Sequence, residues 1–290
     1  MRKIILAIDF NNFVFKSIYG EPLINSKGNS VHAIKGALFR LRSLKDNLNP
    51  DYIVFANDLS RSETFRRKLY KEYKAQRKEK EPEIIYQMEQ TKLILEALGF
   101  PFISHIHYEA DDILGMISRL AGEHDLDVFI VSSDKDLYQL LDDHTYIISE
   151  KNSSILDTMW LDENYHLTPQ QWIELKILQG DRSDNIPGIP GIGEVTALKL
   201  LQNHKSIETI YRHLGYLKPK TKELLINGKR HIDLTRELVT IVTDYHRIGL
   251  TMDCLDRSTI QHSKVLDMVN ELEISSVIPA LNYSLFHKKI

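Results

Sequence analysis

Short apolar runs alternate with helical patterns along the first half of the chain. The runs are rich in Val, Ile and Phe, which is typical of strands buried on both faces. Between them, apolar residues recur every three or four positions, as they do on an amphipathic helix. We predict strands at 3–9, 52–56, 102–104, 127–131 and 146–148 and helices at 35–48, 84–98 and 111–121, with a turn at Asn11-Asn12. Strands that alternate with helices indicate an α/β fold with a mostly parallel, twisted sheet flanked by helices.

The pattern changes near residue 165. Helical spacing continues beyond this point, but no convincing strand follows. We predict helices at 169–179, 194–202, 206–214, 221–225, 233–242 and 263–272. The chain is therefore expected to form an α/β domain at 1–165 and an all-helical region at 166–290.

The composition is that of an ordinary globular protein, with 290 residues, of which 42% are hydrophobic and 27% charged. The single cysteine, Cys254, excludes an internal disulfide and fits a reducing, cytoplasmic compartment; we expect its side chain to be buried. Asp9 interrupts the N-terminal apolar run, which favours a strand over a signal peptide. No apolar stretch approaches the roughly 18 residues of a membrane span, so we expect none.

Acidic residues stand where predicted strands end and beside the ends of predicted helices. Four of them follow strands, whose carboxyl ends meet at one edge of a parallel sheet. Three more open a helix, and two follow another helix. Each acid alone could be a helix cap or a solvated loop residue, but their shared position favours one acidic site. The nine are Asp9, Asp58, Glu109, Asp111, Asp112, Asp134, Asp136, Asp181 and Asp184.

Nine carboxylates that converge would raise one another's pKa values unless cations lie between them. An oxygen-only set without His or Cys suits Mg²⁺ or Mn²⁺ better than Zn²⁺. Two such ions roughly 4 Å apart can activate a water and stabilise the leaving oxygen of a phosphodiester. The acids therefore predict a two-metal site for phosphodiester hydrolysis.

The charge is unevenly distributed. The whole chain carries −3, whereas the segment 61–80 holds nine Lys and Arg against three Glu, a net +6. Aromatic residues interleave with these bases, a combination that suits the phosphates and bases of a single strand. We predict a basic helix over 62–81, with Lys74 and Arg77 one turn apart and able to reach one phosphate. The alternative is a solvated amphipathic helix with internal ion pairs.

A Pro/Gly hairpin at 186–193 precedes a helix predicted to begin at about Glu194. Its glycines leave backbone N–H groups accessible at a helix N-terminus, where a phosphate diester fits. The alternative is a helix C-cap followed by a tight turn with solvated acids. A phosphate site beside carboxylates favours metal ions between them, since bare carboxylates would repel a phosphate.

These features together resemble the 5′-nuclease family, which includes the N-terminal nuclease domain of bacterial DNA polymerase I, phage 5′-exonucleases and flap endonucleases. The resemblance runs from about Lys3 to about Gln202 and implies a PIN-like fold with a helical arch at about 60–98 and a helix-hairpin-helix at about 170–203. The matching motifs are Ile8-Asp9, Asp58, Phe65-Arg66 to Tyr73-Lys74-x-x-Arg77, Glu109-Ala110-Asp111-Asp112, Ser133-Asp134-Lys135-Asp136 and Gly180-Asp181-x-x-Asp184-Asn185-Ile186-Pro187-Gly188.

The resemblance also implies roles for these residues. The first metal would be held by Glu109, Asp111, Asp112, Asp134 and Asp9, and the second by Asp136, Asp181 and Asp184 with help from Asp58. Lys74 and Arg77 would be catalytic and offset charge on the transition state, and the hairpin would bind duplex phosphates, with a K⁺ ion on its carbonyls. The DNA-binding residues would be Arg66, Tyr70, Tyr73, Lys74, Arg77, Gly188, Gly191, Gly193 and Lys199.

Three residues depart from the family pattern: Phe10, Asn57 and Ser133 replace the Gly, apolar residue and Gly that are common there. None of these changes removes a carboxylate. The expected protein is a stand-alone, monomeric, metal-dependent 5′ nuclease that acts on DNA with a free 5′ end or flap, and RNA primers are compatible substrates. Two alternatives stay open: a PIN-type ribonuclease, which would not need the hairpin or basic arch, and a non-catalytic DNA-binding protein.

Overall fold

A computed structural model describes residues 2–59, 62–149 and 154–281. Arg61, in the basic segment, and residues 282–290 of the predicted helical region lie outside the described residues. The described strands form one sheet in the order β3-β2-β1-β4-β5-β6. All neighbouring pairs are parallel except β5 with β6, which confirms the predicted mostly parallel sheet. The strands are β1 (Ile4–Asp9), β2 (Tyr52–Ala56), β3 (Phe102–Ile103), β4 (Asp127–Val131), β5 (Thr145–Ile148) and β6 (Ile155–Leu156).

Helices flank this sheet, and helices with their connecting loops make up the described chain from residue 158 to residue 281. Their bounds agree with most of the predicted helices to within a few residues, while the two-residue strand β6 and helix α6 were not predicted. The described helices are α1 (Phe10–Ile18), α2 (His32–Leu48), α3 (Phe65–Leu69), α4 (Pro82–Ala97), α5 (Ala110–Glu123), α6 (Thr158–Tyr165), α7 (Pro169–Gln179), α8 (Glu194–His204), α9 (Ile207–Arg212), α10 (Pro219–Gly228), α11 (Ile232–Val239), α12 (His262–Glu271) and α13 (Ile278–Ala280).

The predicted turn at Asn11-Asn12 is wrong, because helix α1 begins directly after β1. The carboxylate of Asp9 accepts a hydrogen bond from the Asn12 amide at 3.1 Å and so caps the helix. Phe10 and Phe13 bury their side chains on the inner face of α1. Asp9 is therefore both the end of a strand and the cap of a helix.

The predicted continuous basic helix over 62–81 is also wrong. Only α3 is helical, and the chain then turns through residues 71–76. Lys74 adopts a left-handed φ of 52°, and its amide donates to the carbonyl of Asp184 at 2.8 Å. Because this amide bonds to another segment rather than to the preceding helical turn, the helix cannot continue through Lys74.

The core lies on both faces of the sheet. In β1, Ile5 and Ala7 join one cluster, with α5 and helices of the second half of the chain, whereas Leu6 and Ile8 join the other, with α1, α2 and α4. Residues of α12 also belong to the second cluster, and the Gln261 amide donates to the Ala97 carbonyl at 2.9 Å. The chain thus returns to the α/β layers after its helical part.

Cys254 is exposed, which corrects the expectation that it is buried. It lies in a short 3-10 helix, Met252–Leu255, where only Leu255 is buried. None of the described helices is both long and apolar enough to cross a membrane.

Candidate metal site and nucleic-acid interface

Five of the predicted acids line one pocket of about 200 Å³ at the carboxyl edge of the sheet. The register explains why the strand ends meet: β1 pairs Asp9 with Ala56 of β2 and Ile8 with Val131 of β4. Helix α5 begins at the same edge and contributes its N-cap and first turn. The five acids are Asp9, Asp58, Glu109, Asp111 and Asp134.

Like charges and burial act on two of these carboxylates. Burial raises the pKa of Asp9 to about 7, and the charges of Asp58 and Asp134 add to that effect against hydrogen bonds from Asn12 and Ser132. Burial and the charges of Asp134 and Asp9 also raise the pKa of Asp111 well above its usual value. Acids that disfavour one another's ionisation in this way provide a donor set that a hard cation would satisfy.

Two more of these five acids, Asp58 and Asp134, are held by hydrogen bonds. Asp58 accepts from the Asn11 side-chain amide and from the Ala110 backbone amide, both at 2.8 Å. Asp134 accepts from the Asp136 amide at 2.9 Å. These contacts fix the carboxylates next to the start of α5 and the 3-10 helix that follows β4.

A second acidic group forms around a buried lysine. The ammonium of Lys176, in α7, lies 2.5 Å from Asp136 Oδ1 and 2.9 Å from Asp181 Oδ2. Burial and the charge of Asp134 raise the pKa of Asp136 to about 6, although Lys176 acts against that rise. Burial alone would raise the pKa of Asp181, but hydrogen bonds from Ser183 and Lys176 hold it below its usual value. Asp136 and Asp181 therefore share one internal cation.

A third group joins the acids to residues 71–78, the lysine- and arginine-rich segment after α3 that is called the basic turn below. Lys74 Nζ lies 2.8 Å from Glu109 and 3.5 Å from Asp184, and Arg77 pairs with the other oxygen of Asp184. The buried Tyr73 hydroxyl donates to Glu109 at 2.6 Å. Burial would raise the pKa of Glu109, but the charges of Lys74 and Arg66 keep it below its usual value. The predicted proximity of Lys74 and Arg77 is present, although a turn and not a helix produces it.

The basic turn is also bound to the segment 181–185 through polar contacts. The Gln76 side chain donates to the carbonyls of Arg182 and Ser183, both at 3.0 Å. The Asn185 side chain donates to the Glu72 carbonyl at 2.8 Å. Lys74 and Asp184 therefore keep their mutual position through backbone contacts as well as through charge.

Among residues 2–59, 62–149 and 154–281, no three His, Cys, Asp or Glu side chains are grouped closely enough to hold a metal ion as they lie. Lys74, Arg77 and Lys176 pair with the same carboxylates that an ion would need. The residues nevertheless fit a divalent metal chemically, since the pocket supplies only oxygen donors and its acids repel one another.

Two predicted site residues, Asp112 and Arg66, do not line the acidic pocket. Asp112 is fully buried and forms a two-pronged ion pair with Arg66, at 2.6 and 2.8 Å. Its oxygens also accept the amides of Glu109 and Val242. Asp112 therefore does not line the acidic pocket, and Arg66, only 2% exposed, has no surface to offer DNA. The first-turn position of an acid could not distinguish an inward side chain from one at the pocket.

The remaining predicted DNA contacts differ in exposure. Tyr73 is buried and Tyr70 is half-buried against the core, which corrects the expectation that both rings are available to bases. Lys199 is exposed on α8, and Gly191 and Gly193 are exposed in the hairpin.

The hairpin is anchored by every third residue. Ile186, Ile189 and Ile192 are buried, and the segment around them lines a cavity of about 880 Å³. The amides of Gly191 and Gly193 donate to no other described residue. This arrangement presents backbone N–H groups in front of α8, as a phosphate site requires.

Sequence reasoning missed several polar partners of the acids. Lys176 is the most consequential, and the signal for it was a single base in the apolar run of α7. Ser132 donates to Asp9 at 3.1 Å and Asn12 binds Ser133, contacts that no spacing rule predicts.

An acidic pocket at the carboxyl edge of a parallel sheet, bordered by lysine and arginine and continued by a helix-hairpin-helix, places the molecule in the class of PIN-like folds.

Comparison with known families agrees with that class. Residues 4–166 match the model of the 5′-3′ exonuclease N-terminal resolvase-like domain, and residues 167–263 match that of the 5′-3′ exonuclease C-terminal SAM fold. The chain belongs to the 5′-3′ exonuclease family. The predicted boundary near residue 165 stays a prediction.

Two relatives illustrate the range of the family. DNA polymerase I of Deinococcus radiodurans is 35% identical over 283 residues, which cover 96% of this chain and 29% of that protein. The chain thus spans less than a third of the length of that polymerase. A 5′-3′ exonuclease of Halalkalibacterium halodurans is 36% identical over 263 residues, which cover 85% of this chain and 86% of that protein.

Solved structures share the fold. A T5 5′-exonuclease with bound divalent metal ions (zinc) aligns with a TM-score of 0.71 at 22% identity, covering 92% of this chain and 99% of that one. The catalytic core of Rad2 in complex with DNA substrate aligns with a TM-score of 0.59 at 14% identity, covering 96% and 93%. At these identities the likeness establishes the shared fold.

Proposed function

We propose that this protein is a metal-dependent, structure-selective 5′ nuclease that hydrolyses DNA phosphodiesters. The observation that carries the proposal is the pocket where Asp9, Asp111 and Asp134 meet beside Lys74 and Arg77. Carboxylates of this density next to bases suit metal-assisted hydrolysis of a phosphate ester, and family membership supports the same chemistry.

The metal would be Mg²⁺ or Mn²⁺, because the donors are all oxygen. Asp9, Glu109, Asp111 and Asp134 would hold the first ion. The second would be held by Asp136, Asp181 and Asp184, with Asp58 assisting. When bound, the two ions would supply water activation and stabilisation of the leaving oxygen.

Lys74 and Arg77 would act on the substrate once they leave the carboxylates. Both side chains lie at the pocket that contains the acids, so a phosphate that enters the pocket comes within their reach. There they would offset the charge that develops on the phosphoryl oxygens. The remaining exposed bases of the turn, including Lys71 and Lys78, would hold the strand that carries the 5′ end.

The hairpin would bind the duplex part of the substrate. Its exposed amides at Gly191 and Gly193 suit phosphate oxygens, and Lys199 is exposed on the helix that follows. A K⁺ ion on the hairpin carbonyls is part of this proposal. Since all of these contacts address the backbone, selection would depend on shape and a free 5′ end rather than on base sequence.

The test uses three 5′-labelled substrates: a flap duplex, a duplex with a recessed 5′ end and a single strand. Each is incubated with Mg²⁺ or with EDTA, using the wild type, Asp181→Asn and Asp267→Asn. We expect cutting near the flap junction that EDTA abolishes and Asp181→Asn strongly reduces, while the exposed control Asp267 tolerates substitution. Flap binding without cutting in Mg²⁺ or Mn²⁺ would indicate a non-catalytic DNA-binding protein. Cutting of a 5′-labelled RNA strand of the same sequence, with none of the three DNA substrates cut, would indicate a ribonuclease.

Lys74→Ala separates chemistry from binding. Loss of a group that stabilises transition-state charge typically costs on the order of 10²–10³ in turnover. We expect single-turnover cleavage to fall by that factor and flap affinity, measured by fluorescence anisotropy in Ca²⁺, to change little. A variant that mainly loses affinity would show that Lys74 is a binding residue. Monomeric state, a cytoplasmic location and activity on RNA primers stay predictions.

A further inference from the structure

Lys176 is a buried base whose neighbours in α7 are apolar. The residue is 8% exposed, between the buried Leu175 and Ile177. Placing an ammonium there is costly unless opposite charges and hydrogen bonds compensate. The compensation comes from Asp136 and Asp181, whose oxygens lie 2.5 and 2.9 Å from Nζ.

Neither carboxylate is saturated by this lysine. Lys176 donates a hydrogen bond to Asp181, and its ammonium lies 2.5 Å from the buried Asp136 Oδ1, to which no other described residue donates. Asp136 therefore depends on this one ammonium for its charge compensation. A divalent ion at the same place would supply more charge without a directional requirement.

The two acids that Lys176 bridges are two of those assigned above to the second metal. In contrast, Asp111, assigned to the first metal, forms no hydrogen bond or ion pair with any other residue in the described part of the chain. The first position also has a base beside it, since Lys74 pairs with Glu109 at 2.8 Å. Within the described residues, however, only at the second position does one buried lysine bridge two of the assigned carboxylates.

We propose that Lys176 is the resident counter-ion of the second metal position, and that a second divalent ion binds only as its ammonium moves away from Asp136 and Asp181. This inference rests on the proposed function. Its consequence is unequal affinity, with the first ion binding tightly and the second binding weakly. Lys176 is a positioning residue in this scheme, since it sets the metal concentration at which the second position fills.

The experiment is a Mn²⁺ titration of the metal-free full chain without DNA, followed by electron paramagnetic resonance and calorimetry. Lys176→Met removes the charge with little change of volume, and Lys176→Arg retains it. Lys92→Met is the matched control, because Lys92 pairs with Glu96 on α4 at 3.7 Å, outside the site. Circular dichroism of each metal-free variant monitors folding, and Lys176→Gln replaces the Met variant if that fails to fold.

We expect the second Kd to fall on the order of tenfold or more in Lys176→Met, given the size of charge interactions at these distances. The first Kd should stay constant, and Lys176→Arg and Lys92→Met should match the wild type. The inference would be overturned if Lys176→Met bound the second Mn²⁺ with unchanged or lower affinity than the wild type. If the wild type cuts the flap in Mg²⁺ under that outcome, the proposed function stands; if it neither cuts nor binds Mn²⁺, both are wrong.

Discussion

Arg66 shows how one buried charge can bind three parts of the chain together. Its guanidinium pairs with Asp112 and also donates to the carbonyls of Leu238 and Thr240, at 2.7 and 2.9 Å. Asp112 in turn accepts the Val242 amide at 2.9 Å. Helix α3, the start of α5 and the end of α11 thus meet at a single ion pair. Burial works against the cation, but Asp112 raises the pKa of Arg66, so it stays charged.

Removal of Arg66 leaves Asp112 buried without its partner. We expect Arg66→Met to lower the free energy of unfolding by about 3–5 kcal/mol, the usual cost of an uncompensated buried charge. Urea denaturation followed by circular dichroism measures this loss. Lys68→Met is the control, because Lys68 lies on the same helix and its pair with Glu63 is exposed and worth about 1 kcal/mol or less. Similar losses of unfolding free energy in Arg66→Met and Lys68→Met would show that the buried ion pair contributes no more to stability than the exposed one.

At the scale of elements, the helix-hairpin-helix depends on a close approach of two backbone segments. A Cβ built at Gly188 would lie 2.3 Å from both the Gln179 carbonyl carbon and the Gly180 nitrogen. These are backbone atoms at the end of α7, directly before Asp181. A Cβ at Gly193, by contrast, meets nothing within 4 Å. Close packing against the end of α7 therefore requires glycine at position 188, whereas no neighbouring atom requires it at position 193.

This difference predicts opposite results for two alanine variants. Gly188→Ala should cost about 1–3 kcal/mol or more of stability, because backbone must shift to admit the methyl group, and cutting should fall as Asp181 moves. Gly193→Ala should fold like the wild type but bind duplex DNA more weakly, because its methyl group stands where a phosphate would approach. Chemical denaturation measures the stability of both variants, and a binding assay measures their affinity for duplex DNA. Equal stability of the two variants would contradict the close approach.

At the scale of the whole molecule, the acidic site affects the stability of the metal-free protein. Unfolded Asp9 loses its proton near the usual pKa of 3.8, whereas the native protein keeps it up to about 7. Between these values the native state binds the extra proton, so the free energy of unfolding falls as pH rises. The raised pKa values of Asp111 and Asp136 act in the same direction.

Asp9→Asn should therefore stabilise the metal-free protein at pH 8 and have little effect near pH 4. A gain of about 1 kcal/mol corresponds to a Tm rise of roughly 2–4 °C. Differential scanning calorimetry in EDTA at both pH values measures it, with Asp267→Asn as the exposed control. Added Mg²⁺ should stabilise the wild type more than the variant, because Asp9 is a proposed ligand. A variant that is less stable at pH 8 in EDTA would refute the argument.

Much of the fold followed from local patterns. The strands β2 and β4 and the helix α7 lie at their predicted residues, because a buried strand or helix needs a hydrophobic run of the corresponding period. The predicted turn at Asn11-Asn12 and the predicted basic helix were wrong, because a capping side chain in one case and a tertiary backbone hydrogen bond in the other override the local pattern. Asp9 caps a helix there, and the Lys74 amide bonds to Asp184.

The sequence by itself determined the order of strands and helices, the family, and the set of acids at the carboxyl edge of the sheet. Only the tertiary structure decided which acids share a pocket and which are neutralised elsewhere. Asp112 and Asp111 are adjacent in sequence, yet one faces Arg66 and the other the pocket. The spacing of residues in the sequence specifies only where each side chain is attached to the backbone. Its charge state and partners depend on groups more than a hundred positions away, such as Thr240 for Arg66, which folding alone brings into contact.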